Sequence, residues 1–390
     1  MTVRSRTTAL LAAGFLLTAC GAQEPPAAPA SAEPPLATSQ KTVTDPIVMT
    51  YAGGLYVLDG QTLELVKDIP LAGYNRVNPA GDERHILVST STGFRVLDAA
   101  SATLKEDEFK GGKPGHVVRH AGTTVLFSDG TGEVTMFDPD DLATGMPKGE
   151  TYKAAAPHHG VAIELEKGEL VVTLGTEEKR TGIAVLGKDR KEITRNEDCP
   201  GVHGEATAQG EAVVIGCENG VLLYKDGKIS KIDSANEYGR IGNQSGSDLS
   251  PIVLGDYKKD PDAELERPTR ISLIDTETGK LNLVDLGTSY TFRSLARGPQ
   301  GEALVLGTDG AVHVIDPASA KVIRTIKVLD EWKEPLEWQQ PRPNIFARDK
   351  VVYVSDPAGK RVHAIDFTSG KVTKTTPLPQ PPNELTGTAD

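Results

Sequence analysis

The 390-residue sequence is short of several things that would each announce a chemistry. Aromatic residues make up 5 % of it, with only two tryptophans, Trp332 and Trp338, so a large cofactor stacked between aromatic walls finds no support. Positive charge is in deficit: 42 Lys and Arg stand against 54 Asp and Glu, a net −12. That balance argues against nucleic acid and against an electrostatic grip on anionic lipid. Helical periodicity is nearly absent, which removes an α/β fold. No apolar run is long enough to cross a bilayer permanently, because the longest, Ala9 to Leu17, is a short segment behind Arg4 and Arg6. There are only three cysteines and eight histidines.

What is there begins with that N-terminal pattern. A positive start, a short apolar stretch and Leu17-Thr18-Ala19-Cys20 resemble a bacterial lipobox, which implies cleavage before Cys20 and lipid on its sulfur. Residues 1–19 then form a lipoprotein signal peptide. Its removal takes Arg4 and Arg6 and moves the net charge from −12 to −14. Residues 20–45 are Ala- and Pro-rich, with five prolines between Gly21 and Gln40, and are expected to form a disordered tether. The expected location is extracytoplasmic, attached to the membrane through the lipid alone.

Residues 46–390 read as a repeat array. Apolar strand, turn and second apolar strand recur eight times, from "IVMTYAGGLYVLD" to "VVYVSDPAGKRVHAID". Their core positions Ile47, Ile86, Val125, Val171, Val213, Ile252, Leu304 and Val352 advance by 39 to 52 residues, about 44 on average, the period of a four-stranded propeller blade. The fold class is therefore all-β, an eight-bladed β-propeller, with seven blades as the alternative if one hairpin belongs to an insertion. The first unit lacks an innermost strand and the last is followed by "PPNELTG". Asn383 to Gly387 are thus expected to pair beside Ile47–Tyr51 and close the ring, which removes exposed sheet edges.

Counting back from each hairpin to the mouth of its innermost strand gives Arg76, His116, His159, His203, Asn243, Arg293 and Arg342. Three consecutive units present histidine there, each with a proline within the three preceding residues. Equivalent positions on adjacent blades converge on the channel axis, so three imidazoles can face one point. Imidazole is a common zinc ligand, and zinc takes about four ligands in a tetrahedron. Glu205, Asp198 and, through ring closure, Glu384 are candidates for a fourth ligand. His158 could replace or support His159, and His120, four residues past His116, could contribute to a lower site. The three arginines suit either salt bridges to channel carboxylates or an anionic ligand. Cys199 and Cys217 flank strands of one unit and suit a disulfide, with thiolate metal ligation as the rival.

Together, "GGKPGH", "HHGVAIE", "CPGVHGEA" and the terminal "PNELTG" resemble AztD-type zinc metallochaperones over about Asp45 to Gly387. The resemblance implies a secreted propeller that delivers zinc to the solute-binding protein of an ABC importer. By position it implies His116, His159 and His203 as zinc ligands and Cys199–Cys217 as a disulfide. Residues 21–46 contain no histidine, so the His-rich donor arm of some such proteins is missing here. The protein is thus expected to be a monomeric, non-catalytic zinc carrier. A propeller interaction scaffold is the alternative, with "LDEWKEPLEWQQPRP" as its contact patch. A propeller enzyme such as a lactonase is weaker still.

Overall fold

The computed structural model describes residues 42–389. The expected signal peptide, Cys20 and nearly all of the expected tether lie outside these residues. Val43, just before the expected boundary at residue 46, is buried, and its N–H donates to the Ala100 carbonyl.

Eight antiparallel sheets follow one another along the chain, and each runs from an inner to an outer strand. The innermost strands, in ring order, are Leu385–Gly387, Arg76–Pro79, Pro114–His120, Ala162–Glu164, His203–Ala208, Gln244–Ser245, Leu295–Arg297 and Ile345–Arg348. The eight-bladed expectation holds, and the seven-bladed alternative falls. The sixth hairpin belongs to a full blade, with the charged stretch 258–267 connecting its strands Ile252–Gly255 and Arg270–Asp275.

Ring closure takes the expected form. Ile47 pairs with Gly387, Val48 with Thr386 and Met49 with Leu385, and the Thr50 backbone exchanges hydrogen bonds with Asn383 and Glu384. The closing strand also touches Arg76–Pro79 on one side and Ile345–Arg348 on the other. The last residues of the chain thereby hold its first blade to both neighbours.

The middle strands read as unbroken apolar runs because neighbouring blades cover both of their faces. Ile47–Tyr51, Gly54–Leu58 and His85–Ser89 are buried almost throughout. Outermost strands such as Lys371–Pro377 face water and carry lysine and threonine. The recurring aspartate after the second hairpin strand ties the next turn: Asp59 accepts from Gln61 and Thr62, Asp275 from Glu277 and Thr278, and Asp366 from Ser369. Among the described residues only Pro139–Ala143 forms a helical turn.

Candidate metal centre

The three histidines enter from three consecutive blades. Two of them stand on backbone irregularities, which aim side chains that a regular ladder would send elsewhere. His116 lies in a bulge between Pro114 and Val117, where neighbouring Gly115 packs against Asp129; a Cβ there would stand 2.1 Å from its Oδ1. His203 begins its strand, and the register slips at Gly204, whose φ is +72° and which faces the Gly242 carbonyl. Glycine alone suits that position, because a side chain would meet backbone and strain φ at once. His159 lies in the chain leading to Ala162–Glu164, just before Gly160.

The rings meet. Their centroids are 5.2 Å apart for His116 and His159, 5.4 Å for His116 and His203, and 4.9 Å for His159 and His203. One nitrogen from each lies within 4.8 Å of the other two, the only such group of histidine, cysteine or carboxylate side chains among the described residues. The His159 side chain is 42 % exposed, so solvent reaches the cluster.

Hydrogen bonding dictates which nitrogens face inward. His159 Nδ1 lies 2.5 Å from Asp129 Oδ2, and His203 Nδ1 lies 2.6 Å from the Gly242 carbonyl. Carboxylate and carbonyl oxygens accept, so both Nδ1 atoms carry a proton, and in the neutral rings both Nε2 atoms offer lone pairs. Those two Nε2 atoms lie 3.0 Å apart. Two lone pairs at that distance repel unless a proton or a metal cation lies between them. Nitrogens bound to one zinc at their usual length of roughly 2.0–2.1 Å would be about 3.3 Å apart, so the pair suits a tetrahedral ion. Burial first, and then the neighbouring His116, His159 and Arg240, push the His203 imidazole well below its usual pKa. Its lone pair therefore stays available at neutral pH.

The remaining candidates are distributed unevenly. Glu205 Oε2 lies 3.5 Å from His116 Nδ1, at the edge of the cluster. Asp198 is exposed on the approach to the disulfide, and only its backbone is engaged nearby. Glu384 is not a ligand. Arg76 Nε at 2.8 Å, Arg293 Nη2 at 2.5 Å, the Tyr74 hydroxyl at 3.2 Å and the Val77 N–H at 3.2 Å consume its carboxylate. Burial raises its pKa, but Arg76 and Arg293 outweigh that and hold it below the usual carboxylate value. His158 is not a ligand either: Nδ1 faces the Ala156 carbonyl and Nε2 the Thr173 hydroxyl, in the buried interior. His120 pairs with Glu211 at 2.9 Å, apart from the trio, so no lower histidine cluster forms.

Arg76 and Arg293 bridge to Glu384 and Arg342 to Glu334, the salt-bridge reading of those positions. Cys199 and Cys217 are joined in a buried disulfide, which excludes them as thiolate ligands. Trp332 donates to the Gly307 carbonyl, while Trp338 meets Tyr74 edge-on and remains 51 % exposed. Sequence reasoning missed Asp129 and the Gly242 carbonyl. Asp129 sits in a Ser-Asp-Gly turn like many others in the chain, and a carbonyl has no sequence signal.

No family model matches the chain. Zinc chaperone AztD from Citrobacter koseri is 26 % identical over 287 residues, a match that takes in 71 % of this chain and 66 % of that protein, just under two thirds of its length. Apo AztD from Citrobacter koseri superposes with a TM-score of 0.76 at 22 % identity, over 88 % of this chain and 98 % of that one. A second crystal structure of Citrobacter koseri AztD gives 0.76 at 23 %, over 88 % and 97 %. Dihydro-heme d1 dehydrogenase NirN in complex with DHE reaches 0.59 at 14 %, over 90 % and 78 %. The structural likenesses speak for the fold. The sequence match upholds the resemblance to AztD-type proteins read from the motifs, and that relative is named a chaperone and not an enzyme.

Proposed function

We propose that this protein is a non-catalytic zinc carrier. It would hold the ion on His116, His159 and His203 and pass it to the solute-binding protein of an ABC importer. The observation that carries this reading is the pair of Nε2 atoms of His159 and His203, facing each other 3.0 Å apart, with His116 beside them. A set of three imidazoles suits zinc, which binds borderline nitrogen donors and tolerates an open fourth position. That open position is what a carrier needs. An incoming ligand from an acceptor can bind before the old ones leave, so the ion need not pass through water.

Asp129 and the Gly242 carbonyl would act by fixing ring orientation and raising imidazole basicity. Glu205 stands where it can serve His116 in the same way or approach the ion. The reading takes Cys20 as the lipidated residue, which would keep a monomeric carrier at the membrane near its importer. The sequence match to a protein named a zinc chaperone supports the choice of metal and role.

Zinc titration of the purified protein against a chromophoric chelator tests the site. One equivalent should bind tightly to the wild type and be lost in a His116→Ala/His159→Ala/His203→Ala variant. Unchanged stoichiometric binding in that variant sinks the proposal.

A further inference from the structure

Five arginines bear on the surroundings of the histidine trio and of Glu384, and they differ in what they meet. Arg76, Arg293 and Arg342 each meet a carboxylate within 2.8 Å. Arg180 and Arg240 do not. Among the described residues neither guanidinium makes an ion pair or a side-chain hydrogen bond, and Arg180 Nη1 is buried with no partner at all. A buried guanidinium nitrogen without an acceptor forfeits a charge-assisted hydrogen bond and keeps its desolvation cost. It is therefore expected to meet an acceptor that the chain itself does not supply.

Both residues lie close to the backbone that positions His203. Arg180 opens the strand Arg180–Leu186, and its carbonyl accepts from Gly201, two residues before His203. Arg240 lies two residues before Gly242, whose carbonyl holds His203. Burial first, and then Arg240, lower the Arg180 pKa against the pull of Glu218 and Asp129, and Arg240 adds to the burial and the two histidines that lower that of His203. The nearby carboxylates do not resolve the surplus. Asp129 is engaged by His159, Asp256 by the N–H groups of 242 and 243 and the Asn243 amide, and Glu218 forms no ion pair with either arginine. Two unpaired guanidiniums beside a site for a divalent cation repel each other and the cargo. A carboxylate set among them would relieve both repulsions, since the guanidinium fork matches its two oxygens and the third lone pair can face the metal.

We propose that Arg180 and Arg240 form a carboxylate-binding subsite at the edge of the histidine trio, which seats an anion beside the open coordination position. What the anion does there rests on the zinc reading above. That it binds does not.

The test uses the purified full chain, free of metal, with sodium succinate as probe at constant ionic strength. Calorimetry should give a dissociation constant on the order of 1 mM, weakened about tenfold or more in Arg180→Gln/Arg240→Gln. An Arg180→Lys/Arg240→Lys variant should fall between, because lysine keeps the charge and loses the fork. Circular dichroism confirms that each variant is folded. In a second arm, saturating succinate should tighten zinc binding severalfold in the wild type and leave the glutamine variant unchanged. A third arm compares acetate with acetyl-Gly-Gly-Glu-Gly-Gly-amide. Tighter binding of the peptide assigns the carboxylate to an acceptor protein, equal binding assigns it to a free anion, and both support the subsite. Succinate binding that is absent, or equal in wild type and glutamine variant, overturns the inference. Loss of zinc binding at the trio with succinate binding intact would sink the functional reading alone.

Discussion

Asp129 Oδ2 lies 2.5 Å from Nδ1 of His159, although the two residues sit on different blades. This contact sets the tautomer of His159 and turns its Nε2 toward His203. The histidine trio is thus built at an interface between blades, and the proposed zinc site would depend on residues that do not touch the ion.

Replacing Asp129 with asparagine should therefore weaken zinc binding by about 10- to 100-fold, the usual cost of losing an outer-shell carboxylate. Melting temperature should change little, because Asp129 supports a solvent-accessible imidazole. Zinc affinity by chelator competition checks the first part and thermal denaturation the second. Wild-type affinity in the variant would show that Asp129 does not orient the ligand.

The metal-free protein should lose stability as pH falls below about 6.5. The folded-state pKa of His203 is lowered, so in this window the unfolded chain takes up a proton that the native state refuses. Acid then favours unfolding, by up to about 1.4 kcal/mol per pH unit for one such group, until the native imidazole also protonates. Melting curves from pH 7.5 to 5 should flatten in His203→Gln. Parallel curves for the two proteins would refute the assignment.

Glu384→Gln should be the most damaging single change near the channel. It leaves Arg76 and Arg293 facing a neutral amide in a buried site, and breaking one side of such a network costs roughly 3–5 kcal/mol. Zinc affinity, measured below the new melting point, should stay close to wild type because Glu384 is not in the histidine group. A large loss of zinc binding in a folded variant would contradict the separation of the two clusters.

The Cys199→Ser/Cys217→Ser variant should be destabilised by about 3 kcal/mol, the chain-entropy value for a loop of this length, given the 18-residue separation. The bridge also ties the segment before His203 to the next strand of its own blade. Zinc affinity should therefore fall along with chemical-denaturation midpoint. A variant that loses neither would leave the bridge without the role assigned to it.

Much of this protein was legible in its sequence, for a definite reason. Blades are local units of about 44 residues on average, each needing two apolar strands, a tight turn and a polar outer strand, so the array is written as a periodic pattern. The position of each innermost strand follows by counting, which put His116, His159 and His203 in register. Even the closing strand could be inferred, because one unit lacked a strand and one strand was left over. Counting could not say what each side chain meets once the ring closes. Glu384 stood as a candidate ligand, yet Arg76 from the adjacent blade and Arg293 from another take it. Asp129 gave no signal, yet it holds a ligand from the neighbouring blade. Periodicity lies within a blade and is carried by nearest residues in the chain. The pairings that hold His159 and Glu384 lie between blades, across separations of 30 and more than 300 residues, and only the curvature of the closed ring sets those distances.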